Sequence, residues 1–247
     1  MKKWICLALC GCALSLAACK PDAPEYKVLK IGYTHYQPMS YLDEKQGRLA
    51  GFDVEFATQV CNELGYTAEF VEIIWANKTR ELENGAIDCI WNGMTMTDQL
   101  QQQILVSEPY LENRQVAVFP VSMEGYPSVF SLETIAVENG GAAEALLQKN
   151  GVQSSSMRGA ATQSAALAEV LGGNAQAAVV DYTMAKCVVG KGVYQGLAIA
   201  EIENAPVEYY AVGFRKSDTE LCAKVNELIA KYQANGTLAA WEKKYLG

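Results

Sequence analysis

The sequence predicts an α/β protein of two units, each a mainly parallel sheet with flanking helices, joined by two strand-like crossings. Three observations carry this expectation. Short apolar strands alternate with segments whose apolar residues recur at helical spacing, the pattern of a parallel sheet covered by helices. The alternation restarts after the apolar run at 114–121. A last strand-like run near 207–214 then leads into two closing helices, so the chain crosses between the units twice.

In chain order, "VLKIGY" reads as a strand and "GRLAGFD" holds a turn and a short apolar stretch. "DVEFATQVCNELGY" places Val54, Phe56, Ala57, Val60, Cys61 and Leu64 on one helical face and stops at Gly65. "TAEFVEI" alternates as a strand, "NKTRELENG" is a helix ending at Gly85, and "AIDCIWNG" is a strand again. The second unit runs "TIAVENG" (strand), "AAEALLQKN" (helix), a short strand near "SSMRG", "SAALAEVLGG" (helix), "AQAAVVD" (strand) and "YTMAKCVVG" (helix). "EYYAVGFR" reads as one returning strand. The closing helices part at Asn235-Gly236, and Ser217 with Glu220 suits a capping box on the first of them.

The 247 residues are half hydrophobic and carry a formal charge of −8, enough chain for a sizeable core. So acidic a chain is not a nucleic-acid binder, because phosphate recognition needs clustered Lys and Arg. The start, "MKKWICLALCGCALSLAACK", has two lysines, an apolar run and small residues before Cys19, the layout of a secretory signal. Leu16-Ala17-Ala18-Cys19 resembles a bacterial lipobox. That implies cleavage of residues 1–18, acylation of Cys19 and anchoring to a membrane surface, with residues 19–26 as a lipidated tether. Losing Lys2 and Lys3 takes the formal charge to about −10. Four cysteines then remain: Cys61, Cys89, Cys187 and Cys222. None forms a CxxC or a metal spacing with His35, the single histidine, so buried thiols are expected, with a disulfide left open.

"GFDVEFATQVCNELGY", "ELENGAIDCIWNGMTMTDQLQQQILVSEPY" and "NELIAKYQANGTLAAWEKKYLG" resemble the polar amino-acid solute-binding proteins of ABC importers, often grouped as family 3. Gly51-Phe52-Asp53, Gly85-x-x-Asp88, Gly93-Met94-Thr95, Ser107-x-Pro109-Tyr110 and Gly236-Thr237 occur together and in order. The resemblance implies a two-lobed, periplasmic-binding-protein-like fold (type II) with two hinge crossings. Lobe 1 would be 27–113 with 209–247, and lobe 2 would be 114–208. It further implies a monomeric receptor that hands a small amino acid or amine to ABC permease subunits, with no cofactor, no metal and no catalysis.

Carried over residue by residue, the resemblance implies that Tyr36 covers the ligand and Trp75 lines its side-chain pocket. Asn92, Gly93 and Thr95 present backbone and hydroxyl groups, Gly141 belongs to the facing second-lobe turn, and Asp181 meets the α-ammonium. Thr97 is expected to cap the following helix instead of touching ligand. The pattern departs from the family in two places. Leu100 stands where family members carry the arginine that clamps the α-carboxylate, and Gly140-Gly141-Ala142 replaces a Gly-Ser-Thr turn. Three accounts stay open. The solute lacks a carboxylate, or a relocated arginine (Arg114 or Arg158) holds it, or the protein no longer binds amino acids. Backbone N–H groups at 93–95 and 140–142 remain as a fallback anion site. An enzyme of the same fold (cyclohexadienyl dehydratase-like) and a sensory receptor without transport are the alternative functions. Against the enzyme, no Ser–His or Cys–His pairing and no helically spaced carboxylate pair stands out.

Overall fold

A computed structural model describes residues 27–123 and 125–247; the signal-peptide, tether and Cys19 assignments lie outside these residues. One five-stranded sheet has the order Tyr66–Glu72, Lys27–Tyr33, Cys89–Ile90, Gly213–Phe214, Leu105–Val106. The second has the order Met157–Ala160, Ile135–Glu138, Ala177–Asp181, Gln115–Pro120, Leu197–Glu201. In each, three neighbouring strands are parallel, as the strand–helix–strand alternation requires. One strand in each sheet, Gly213–Phe214 and Gln115–Pro120, is antiparallel to both its neighbours, so the sheets are mixed, with the other four strands of each running in one direction. The reason is topological: each reversed strand comes directly after a crossing, Gln115–Pro120 after Leu111–Asn113 and Gly213–Phe214 after Glu208–Tyr210, and so enters its sheet from the opposite end.

The crossings themselves pair. Leu111–Asn113 runs antiparallel to Glu208–Tyr210 as a separate two-stranded ribbon, which joins the lobes. This splits the expected strand "EYYAVGFR": Glu208–Tyr210 belongs to the ribbon and Gly213–Phe214 to the first sheet. The hairpin Tyr41–Asp43/Arg48–Ala50 and the edge strands Leu105–Val106 and Leu197–Glu201 escaped the periodicity reading, and the short helix Asp98–Gln103 was signalled only by its Thr97 cap.

Helix Phe52–Leu64 buries Phe52, Phe56, Ala57, Val60 and Cys61 and ends in a left-handed Gly65, as its pattern predicts. Phe56 sits among Trp91, Tyr110, Tyr232 and Trp241, an aromatic core that ties the closing helices to the first lobe. The capping box at the start of helix Thr219–Ala234 does not form. Ser217 bonds the Asp218 carboxylate instead, Asp218 takes the N-cap position, and Glu220 pairs with Lys224 one turn on. Cys61, Cys89, Cys187 and Cys222 are free thiols, three of them buried, and no disulfide forms among the described residues.

Candidate ligand-binding cleft

A cavity of about 410 Å³ opens between the two sheets, beyond the carboxyl ends of their parallel strands, where open α/β sheets place ligands. The structure brings Tyr36, Trp75, Asn92, Gly93, Thr95, Gly141 and Asp181 to this one cavity, and Leu100 lines it too. Those seven residues are spread over 145 positions of the chain.

The first-lobe wall is held from beneath. Asp53, in the Gly-Phe-Asp motif, is fully buried; one carboxylate oxygen accepts from the Gly93 backbone N–H (2.5 Å) and the Tyr110 hydroxyl (3.1 Å), while the other has no partner. Burial raises this carboxyl to about 7 against the two hydrogen bonds that lower it. Three motifs far apart in sequence thus meet at the turn that floors the cleft. Gly93 has φ +56, and a Cβ there would lie 2.5 Å from the Tyr36 ring, so only glycine lets that ring seat on the turn. The Asn92 side chain is spent inside the lobe. Its oxygen accepts from the Thr34 hydroxyl (2.7 Å) and its nitrogen is placed to donate to Thr34 O (3.0 Å) and the Ser40 hydroxyl (2.9 Å). Trp75 is buried against Leu82, Ile87, Ile90, Met94 and Ile104 while presenting to the cavity. Thr97 caps helix Asp98–Gln103, accepting from Leu100 N at 3.2 Å.

The second-lobe wall is built around Asp181, which is only 4 % exposed. It is surrounded by neutral donors: Tyr36 Oη at 2.9 Å, Asn113 Nδ2 at 2.9 Å, Gln115 Nε2 at 2.5 Å and Gln163 Nε2 at 2.7 Å. Such amides satisfy a carboxylate's lone pairs without cancelling its charge. The Tyr36 bond runs from one wall of the cleft to the other. Asn113 and Gln115 also reach Glu208 on the returning strand, at 3.3 and 2.7 Å. Burial, with the Asp181 charge next, lifts the Glu208 carboxyl to about 7.

Three functional candidates escaped the sequence reading. Glu138 ends its strand buried and facing the cavity. Burial first, then the Asp181 charge, push it up to about 8, and Lys78 acts in the opposite direction. Gln163 orients Asp181 from both sides, accepting from its backbone N–H as well as donating to its carboxylate. Lys78, the only lysine or arginine among the described residues lining the cleft, is 5 % exposed; its Nζ donates to Gly140 O (2.7 Å) and Trp75 O (3.4 Å) and lies 4.7 Å from the Trp75 ring centre. Burial lowers its ammonium to about 8. The strand-end position of Glu138 was a legible signal; Lys78 had none, since its helix reads as an ordinary charged one.

The relocated-arginine account fails. Arg114 makes a two-pronged pair with Glu201 (2.9 and 2.6 Å) and lies over Tyr182, and Arg158 pairs with Glu169 at 2.6 Å; neither lines the cleft. Among the described residues, no group of His, Cys, Asp and Glu is disposed to hold a metal, and no helix is long and apolar enough to cross a membrane.

Two α/β lobes, a paired double crossing and a polar cleft between sheet ends define the class of two-lobed binding proteins. The sequence profile of the "Bacterial extracellular solute-binding proteins, family 3" matches residues 29–247, and the chain belongs to that family. It is 30% identical to the "Putative amino-acid ABC transporter-binding protein PatH" of Vibrio harveyi, over 100% of this chain and 98% of the relative. It is 25% identical to the "Probable histidine-binding protein" of Neisseria gonorrhoeae, over 99% and 96%. Among solved structures it is similar to a substrate-binding protein of an ABC uptake transporter from Streptococcus pneumoniae with bound histidine, with TM-score 0.81, 27% identity and coverage of 89% of this chain and 92% of that one. It is also similar to an ancestral amino acid-binding protein, a precursor of cyclohexadienyl dehydratase, with TM-score 0.79, 25% identity and coverage of 89% and 96%.

Proposed function

We propose that this protein is a lipid-anchored solute-binding receptor of an ABC importer, capturing a small amino acid or related amine in the cleft between its lobes. The observation that carries this reading is Asp181, a buried carboxylate lining the cleft and satisfied only by neutral donors. It keeps a negative charge available to a solute ammonium without a protein cation to neutralise it. The naming of the relatives as binding proteins supports capture over catalysis. Closure would occur about the paired strands Leu111–Asn113 and Glu208–Tyr210, between a lobe of 27–113 with 209–247 and a lobe of 114–208. Cys19 would carry the lipid, and the receptor would work as a monomer docking on permease subunits.

A thermal-shift screen over amino acids, their decarboxylated amines and small peptides tests the reading, because a solute bound by the closed form raises the midpoint by mass action. Stabilisation by a compound of this class is the expected result. Turnover of prephenate or arogenate, seen as product absorbance, would move the protein to the dehydratase reading. For the anchor, Cys19→Ser should release the protein from membranes and remove the lipid mass.

A further inference from the structure

Resting on the reading of the cleft as a solute site, we propose that Lys78 receives the solute's carboxylate, so that the solute is an amino acid and not a plain amine. Lys78 thereby replaces the arginine for which Leu100 stands. Among the described residues the Lys78 charge has no direct ion-pair partner. Lys78 is buried, yet no Asp or Glu oxygen among the described residues lies within 4.0 Å of its ammonium. Glu138 and Glu144 act on it only from farther away. A buried cation without a counter-charge is costly, and a cleft-facing one is relieved by an anion arriving there. An ammonium has three N–H donors; two are taken by the carbonyls of Gly140 and Trp75, which leaves one on a side chain that lines the cavity.

Several of the other candidate anion sites are already occupied. The Gly93 N–H is held by Asp53, the Gly140 N–H by the Glu144 carboxylate at 2.6 Å, and the Gly141 N–H by Glu138 O at 3.1 Å. Three of the six fallback backbone donors therefore serve the protein itself, and those of Met94, Thr95 and Ala142 are left to share the carboxylate with Lys78. Arg114 and Arg158 are paired elsewhere.

Placement agrees with the role. Lys78 reaches across from the first lobe to the Gly140–Ala142 turn, the turn whose family hydroxyls are missing. Gly140 has φ +69, and a Cβ there would come 3.0 Å from Ala76 Cα; the bare turn lets the two walls approach closely enough to seat the lysine between them. Asp181 on the facing wall offers a carboxylate to the amino end. The cleft thus offers both signs, and a solute bearing both answers them.

Calorimetry on the full chain, with L-arginine against agmatine and L-histidine against histamine, tests this in wild type, Lys78→Met and Lys78→Arg. In wild type at least one amino acid should bind at least about tenfold more tightly than its amine, a difference within reach of one charge-assisted contact. Lys78→Met should lower amino-acid affinity by about tenfold or more and leave the amine nearly unchanged, and Lys78→Arg should keep the preference. If Lys78→Met does not fold, Lys78→Gln carries the same comparison. A preference that survives the neutral variant, or a wild type that favours the amine, overturns the assignment. Equal losses for acid and amine also overturn it, leaving Lys78 only as a bridge between the walls through Gly140. A wild type that binds none of the four compounds overturns the solute reading for this chemistry and the assignment with it.

Discussion

The two walls of the cleft are built on different principles. The first-lobe wall is supported from within its own lobe: Asp53 holds the Gly93 turn and Tyr110, Asn92 is satisfied by Thr34 and Ser40, and Trp75 rests on an aliphatic cluster. The second-lobe wall, made by Glu138, the Gly140–Ala142 turn and Asp181, depends on partners outside it, including Tyr36 and Lys78 from the opposite lobe. The difference lies in where each wall finds its support. The first holds its shape with contacts inside one lobe, and the second is completed by contacts from across the cleft.

The largest expected effect breaks the second-lobe wall. Asp181→Asn should cost about 2–5 kcal/mol of solute binding, the range for truncating one side of a buried charged contact, with little change in fold because an amide keeps part of the hydrogen-bond set. Calorimetry with the best ligand from the thermal screen measures it; unchanged affinity would make Asp181 a structural carboxylate only.

The first-lobe wall should break differently. Gly93→Ala forces a left-handed φ on a residue with a Cβ and drives that Cβ into the Tyr36 ring. The cost should be about 1–3 kcal/mol of stability, read by urea denaturation, with binding weakened alongside. A variant as stable as wild type would show that the turn and Tyr36 can shift independently.

A smaller effect comes from pH and involves both walls. A buried carboxyl with a raised pKa favours the folded state while it is protonated. That contribution is complete below the unfolded value and is lost as pH rises through the folded one. Asp53 and Glu208, both about 7, and Glu138, about 8, place this loss between roughly pH 4.5 and 8. Lys78 acts above that window: with its pKa lowered to about 8, its contribution is present above 10.5 and is lost as pH falls through 8. The unliganded protein should therefore melt higher at pH 5 than at pH 7.5, and Glu138→Gln should reduce the difference. A flat profile between those values would mean these carboxyls are hydrated before unfolding.

The smallest effect sharpens the comparison by exclusion. Arg114→Ala and Arg158→Ala, whose ion pairs lie away from the cavity, should leave solute affinity within measurement error by calorimetry. Loss of binding in either would revive the account in which a distant arginine reaches the cleft.

The sequence by itself determined the α/β class, the two units, the double crossing and seven of the residues that come to the cavity, though not Lys78, Glu138 or Gln163. Helical and strand periodicity are local, and the spacing of Val54, Phe56, Val60 and Cys61 specifies a buried face whatever lies opposite. The family motifs carried the first-lobe wall for a related reason, since its supports lie within that lobe. What only the tertiary structure decided is where the charges end. Lys78 meets Gly140 across 62 positions and Tyr36 meets Asp181 across 145, and both contacts exist only because two lobes close on each other. The same holds for Arg114, which reads as a free cation in sequence until Glu201, 87 residues on, takes it. Charge pairing depends on distance and burial, which no local pattern encodes, so the missing arginine was legible in the sequence and the lysine at the turn was not.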